Sequence, residues 1–190
     1  MSFIARTAFQ PRKWNNRNND LQTITGLFGK GSGETFEAAD CSAGFICTKG
    51  AGLPAGGHEM NAAADGKEEI FFCHPTDAQR LASGENLYAV GKKTLGLGIP
   101  AGRKDSFTKG IVGETYAFGP GNFSTLMDAD KRYATIKDGL LVASASKPAA
   151  GTGYYFEMDT ECGIDYFTEG NGNAFARYNL ELRQTAPAAS

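Results

Sequence analysis

The sequence has no long apolar run of the kind that spans a membrane. None of its hydrophobic stretches reaches the roughly 18 residues that a membrane-spanning helix needs. Its first residues, MSFIARTAFQPRK, lack the charged start and apolar core of a secretory signal. We therefore expect a protein that neither crosses a membrane nor carries an export signal.

Histidine is scarce, and the cysteines are not spaced for metal binding. The chain has two histidines and four cysteines, and no two cysteines have the C-x2-C spacing that holds zinc. We expect reduced, partly buried structural cysteines and no metal or other cofactor. The cysteines are Cys41, Cys47, Cys73 and Cys162.

Motifs for catalysis are also incomplete. The run GLFGKGSGET at 26–35 looks like a phosphate-binding loop, but Ile24 stands where G-x-x-x-x-G-K-[ST] needs glycine and Gly31 where it needs a hydroxyl. HEM at 58–60 begins like a zinc-protease motif, but Ala62 replaces the second histidine. No G-x-S-x-G nucleophile elbow occurs. We interpret GKGSG as a hinge and predict that the chain is not an enzyme.

The charge of the chain is unevenly distributed. Residues 1–33 hold five basic residues against one acidic residue, whereas the rest holds fourteen against twenty. A basic head on an acidic body indicates that the head meets an acidic partner. A solvated, disordered N-terminus is the alternative. The net charge of −2 gives no support for nucleic-acid binding.

We expect the partner-binding residues to lie in this basic head. A single tryptophan stands among its basic residues, which suits an anchor on an acidic protein surface or a staple that holds the arm to its own body. A short apolar patch follows. The predicted partner-binding residues are Arg12, Lys13, Trp14, Arg17, Leu27 and Phe28.

The remainder of the chain is predicted to be all-β. Short apolar or alternating runs are bounded by Gly, Pro, Asn or Asp, and no long helical stretches alternate with them. The run AFARYNLELR at 174–183 alternates as a strand with one buried side does, and Asp138-Gly139 is typical of a tight hairpin turn. We predict a compact β-barrel or β-sandwich of about ten short strands.

The pattern divides the chain into three parts. We predict an extended N-terminal arm with a Gly-rich hinge over 1–34, a β domain over 35–184 and a frayed tail over 185–190. Residues 75–84, PTDAQRLASG, are the one helical candidate, with a Thr or Asp cap at the start and a glycine at the end.

Seven segments of the chain together carry a resemblance to a known class of proteins. The segments AGFICT, LPAGGHE, EEIFFCHPTD, ENLYAVGKKTLGLGIPAG, GETYAFGPGNF, KDGLLVAS and AAGTGYYFEM lie over about residues 43–158. Together they resemble the small virion structural proteins of tailed bacteriophages, of the capsid decoration (cement) kind. The resemblance implies β-barrel or β-sandwich units, often trimers, that sit where shell subunits meet. It supplies no active-site motif from which functional residues could be carried over.

From this resemblance we expect a non-enzymatic protein that binds and stabilises the assembled capsid shell. Its partners would be the major capsid protein and neighbouring copies of itself, and it would lie on the capsid surface of the virion after synthesis in the host cytoplasm. The alternatives are a phage tail-tube or head-completion subunit and a carbohydrate- or receptor-binding β domain. The aromatic candidates for the last are Tyr154, Tyr155, Tyr166 and Phe167, which cross-strand packing also explains.

Overall fold

A computed structural model describes residues 9–13, 23–75, 98–161, 163–168 and 174–188. These residues form strands and two short 3₁₀ turns, which confirms the predicted all-β class. The helix expected at 75–84 lies, apart from Pro75, outside the described residues. The strands are β1 (Phe9–Lys13), β2 (Thr23–Lys30), β3 (Glu37–Ala38), β4 (Cys41–Ser42), β5 (Ile46–Gly52), β6 (His58–Ala62), β7 (Ile70–Cys73), β8 (Gly98–Ile99), β9 (Lys104–Lys109), β10 (Thr115–Phe118), β11 (Phe123–Thr125), β12 (Tyr133–Lys137), β13 (Leu140–Ser144), β14 (Tyr154–Met158), β15 (Ile164–Thr168) and β16 (Ala174–Gln184).

Five strands close into a small barrel. They pair in the order β2-β6-β5-β7-β9, and β9 pairs back to β2 to complete the ring. All pairs are antiparallel except β2 with β6. Side chains that alternate along these strands fill the interior, which the short β4–β8 sheet helps to cover. The interior side chains are Phe28, Cys41, Cys47, Met60, Phe71, Cys73, Ile99 and Phe107.

The segment predicted as an arm and hinge is partly built into this barrel. Residues 23–30 form β2, which pairs with both β6 and β9. The predicted hinge GKGSG continues into a 3₁₀ turn at Gly33–Thr35, after which β3 folds back onto the end of β2. The structure thus differs from the predicted boundary between arm and β domain at residue 34, because β2 is one of the five strands that close the barrel.

A larger sheet packs beside the barrel. Its strands follow the order β1-β10-β16-β14-β12-β13-β11, with β15 paired to β16. The predicted alternating strand is β16, and its side chains Tyr178, Leu180 and Leu182 enter the core as expected. Asp138 and Gly139 form the predicted two-residue turn between β12 and β13, both with positive φ.

The barrel and the sheet share a second hydrophobic core. Ile46, Ile70 and Phe72 point outward from the barrel into this core. The ring of Phe72 lies 4.6 Å from that of Tyr116 and 5.8 Å from that of Phe118, both on β10. Because these outward side chains alternate with the barrel's interior ones, strands β5 and β7 serve both cores.

The first described strand completes one edge of the sheet. β1 pairs antiparallel with β10, with Phe9 opposite Phe118 and Lys13 opposite Thr115. The ring of Phe9 stacks on Phe72 at 4.8 Å and lies 5.7 Å from that of Tyr116. Strand β1 is therefore anchored at the junction of the barrel and the sheet.

Candidate binding site at the barrel mouth

One end of the barrel opens into a groove. Strands β2 and β6 run parallel and finish there, and β5, which is antiparallel to β6, begins there. The groove has a volume of about 680 Å³, and barrel mouths are common places for binding sites. We call it the mouth groove, and it is lined by Phe28, Gly29, Lys30, Gly31, Ala39, Asp40, Ser42, Phe45, Asn61, Ala62 and Asp138.

Two aromatic rings supply the apolar part of the mouth groove. Phe28 lies near the C-terminal end of β2, and its ring meets that of Phe45 edge to face at 5.5 Å. Phe45 is half-buried and precedes β5. A side chain at Gly139 would overlap the ring of Phe45, so glycine at that turn position lets the ring take its place.

The polar part of the groove carries two carboxylates and one ammonium. Asp40 is fixed by the backbone N–H of Ala101, which donates to its Oδ1 at 2.8 Å. Asp138 sits at the tip of the β12–β13 turn with φ of 50°, and its carboxylate has no partner in the described part of the chain. Lys30 ends β2 and is exposed. Among the described lining residues, these charged groups face one apolar wall.

A buried carboxylate holds the turn that forms one wall. Glu59 on β6 is 3% exposed, and the backbone N–H of Gly33 donates to its Oε1 at 2.9 Å. Its Oε2 has no hydrogen-bond partner among the described residues. Since Gly31 and Lys30 lead directly into this turn, Glu59 positions the glycine-rich rim of the mouth groove.

Three thiols lie in the barrel interior. Cys41, Cys47 and Cys73 are free and buried, as the sequence indicates for structural cysteines, and Cys162 lies outside the described residues. Desolvation by burial raises the pKa of the Cys41 and Cys73 thiols, and the neighbouring thiols add to the effect at Cys41. The Cys73 thiol donates to the backbone oxygen of Cys41 at 3.5 Å. This cluster acts as packing.

The predicted partner-binding residues are divided by the structure. Phe28 is 6% exposed and packs inside the barrel, with its edge on the mouth groove, and Leu27 is half-buried on the other face of β2. Arg12 and Lys13 belong to β1. Trp14 and Arg17 lie outside the described residues.

Sequence reasoning missed most of the mouth groove. Asp40, Phe45 and Asn61 come from three separate segments, and no local spacing links them. Two parts of it gave a signal: residues 28–31 lie in the run that contains the predicted hinge, with Phe28 among the predicted partner-binding residues, and the Asp138-Gly139 turn indicated a hairpin and not a site.

A second groove lies under the loop between β14 and β15. Asp159 at this loop is buried, and its carboxylate accepts from the Thr115 hydroxyl at 2.7 Å and from the Glu161 N–H at 2.8 Å. Hydrogen bonds from Lys131 lower the pKa of Asp128 at the other side of the groove. These acidic side chains are thus engaged in bonds within their loops and, for Asp159, to strand β10.

Two further observations concern the described residues as a set. Within the described ranges, no three His, Cys, Asp or Glu side chains are placed to hold a metal ion. The same ranges contain no helix long and apolar enough to span a membrane.

Comparison with protein families, with curated proteins and with solved structures finds no match to this chain.

Proposed function

We propose that this chain is a non-enzymatic structural protein of a tailed-phage particle, which binds and stabilises the assembled capsid shell. The observation that carries the proposal is the placement of β1. A five-residue strand near the N-terminus completes the edge of the large sheet and inserts Phe9 into an aromatic cluster. A strand of this kind is a means of joining subunits through backbone hydrogen bonds.

Strand addition serves a shell protein for a physical reason. An edge strand forms the same kind of backbone hydrogen bonds with its own sheet or with the sheet of a neighbouring copy. Moving the strand from one sheet to the other therefore costs little free energy. Nine residues lie between β1 and β2. A protein that binds the assembled lattice better than free subunits stabilises the lattice by mass action. The resemblance of residues 43–158 to decoration proteins supports the same assignment.

The copy number of the chain in purified phage particles tests this proposal. Quantitative mass spectrometry measures it relative to the major shell protein. We expect a ratio near one or a simple fraction of one, which a decoration protein on the whole lattice requires. A few tens of copies would favour a tail-tube or head-completion subunit. Absence of the chain from the particles would overturn the proposal.

One surface observation favours the receptor-binding alternative. Tyr166 on the edge strand β15 is 74% exposed, and Ile164 on the same strand is exposed as well. The aromatic set predicted for a glycan groove does not stay together, however, because Tyr155 is 3% exposed and packs in the core. Binding to a glycan array that is lost in Tyr166→Ala would favour this second function over the first.

A further inference from the structure

Strand β15 forms an edge of the large sheet. Among the described strands it pairs only with β16, through five consecutive residues in unbroken antiparallel register. We propose that β15 of one copy pairs with β15 of a second copy about a twofold axis, so that the two large sheets become continuous. The proposal concerns contact between copies and holds whether or not the chain belongs to a phage particle.

The hydrogen-bond pattern shows which backbone groups face this edge. The Asn179 N–H donates to the Gly163 oxygen at 2.9 Å. In an antiparallel ladder this bond makes Ile164 and Tyr178 a pair without mutual hydrogen bonds. Every second residue of β15, starting from this pair, therefore directs its N–H and C=O groups away from β16, toward a further strand. These residues are Ile164, Tyr166 and Thr168.

The side chains of β15 leave this edge unprotected. Lysine, proline and bulges commonly keep exposed edge strands from pairing. β15 contains none of them. Its one charged side chain, Asp165, accepts hydrogen bonds from the Arg177 guanidinium at 2.8 and 2.7 Å, which neutralises the carboxylate. Ile164 and Tyr166 are 44% and 74% exposed, so the edge is uncharged and partly apolar.

The other described edges are less suited to pairing. The edge strand β1 contains Pro11, which has no N–H to donate, and its register shifts before Lys13. The edge strand β11 has only three residues, and its register with β13 is also interrupted. The five barrel strands form a closed ring and leave no edge among themselves. Within the described strands, β15 of a second copy is therefore the best match for β15.

Strand β15 is complementary to itself in the antiparallel direction. A twofold axis at Tyr166 places this residue opposite Tyr166 of the second copy and places Ile164 opposite residue 168. All the outward N–H and C=O groups of both strands are then bonded. The two tyrosines form a cross-strand aromatic pair, which stabilises sheets. Asp165 lies opposite residue 167 of the second copy, so no carboxylate directly opposes another.

Sedimentation of the full-length protein over a range of concentrations tests the proposal. We expect a reversible monomer–dimer equilibrium. Tyr166→Lys should raise the dissociation constant at least tenfold, because the dimer would then place two lysines directly opposite each other. Val112→Lys is the matched control, since Val112 is 48% exposed and lies outside β15. This control should associate as the unmodified protein does.

A disulfide cross-link tests the register of the pairing. Directly opposite residues of a hydrogen-bonded antiparallel pair have Cα atoms about 5.5 Å apart, which suits a disulfide. In a Cys162→Ser background, Tyr166→Cys should form a covalent dimer with oxidised glutathione. Val112→Cys in the same background should stay monomeric. The three barrel thiols are buried and leave the new cysteine as the reactive one.

Several outcomes would overturn the proposal. The first is a full-length protein that stays monomeric at every concentration. A dimer that persists unchanged in Tyr166→Lys would lie at another surface, and equal cross-linking of the two cysteine variants would show that β15 is not paired at Tyr166. Circular dichroism of each variant verifies that the fold is kept. If Tyr166→Lys fails to fold, the comparison of the cysteine variants still decides the proposal.

Discussion

Cys41, Cys47 and Cys73 illustrate how burial controls chemistry at the scale of one residue. The thiolate is the reactive form of cysteine, and burial raises the pKa of the Cys41 and Cys73 thiols. The groups are also out of reach of solvent inside the barrel. Reaction with a water-soluble reagent thus requires the barrel to open.

This reasoning gives a prediction for thiol labelling. In a Cys162→Ser variant, which leaves the three barrel thiols, we expect a disulfide reagent to label almost nothing in the native protein near neutral pH. Three equivalents should react after denaturation. The raised pKa of the Cys41 and Cys73 thiols predicts that moderately alkaline buffer alone does not make these two thiols reactive. Rapid labelling of any thiol in the folded protein would contradict the buried cluster.

Individual residues also show which features the sequence alone predicts and which it does not. The alternation in β16 and the Asp138-Gly139 turn were predictable, because period-two burial and turn chemistry are local properties. The burial of Phe28 was not, because it depends on β9, whose partner residues lie about eighty positions away. A local pattern marks Phe28 as apolar without showing that a barrel closes around it.

At the scale of elements, the same limit applies to the mouth groove and to β2. The ends of three barrel strands and a separate hairpin turn assemble the groove. Their proximity follows from strand order, and β2-β6-β5-β7-β9 is not the order along the chain. Such long-range pairing leaves no signature within any one segment, so the sequence predicts strands and turns better than sites.

One contact between elements ties the barrel to the large sheet through backbone alone. Gly66 and Gly153 form an isolated bridge, and the Tyr154 N–H donates to the Gly66 oxygen at 2.6 Å. A methyl group at Gly66 would overlap the backbone of Tyr154, which cannot move aside as a flexible side chain does. The bridge therefore requires glycine for close approach.

We predict that Gly66→Ala destabilises the protein by about 2 kcal/mol or more, because overpacking against backbone forces the elements apart. For a chain of this size the melting temperature should fall by roughly 4 °C or more. Gly52→Ala is the matched control, since a methyl group there meets open space without a positive φ. Equal melting temperatures for the two variants would show that the bridge does not constrain the fold.

At the scale of the whole molecule, the first thirty residues contain two strands with different roles. β1 adds an edge to the large sheet, and the ring of Phe9 packs against the core. β2 is one of the five barrel strands and contributes Phe28 to the barrel interior. Removal of the first exposes an edge, whereas removal of the second opens a closed ring.

Two truncations separate these roles. We predict that deletion of residues 1–22 leaves a cooperatively melting protein, destabilised by about 2 kcal/mol through loss of the half-buried Phe9. Deletion of residues 1–33 should abolish cooperative melting, because β6 and β9 lose the strand between them and the barrel interior is exposed. Circular dichroism during heating measures both. A cooperative transition in the longer truncation would mean that the body folds without β2, as an arm ending at residue 34 requires.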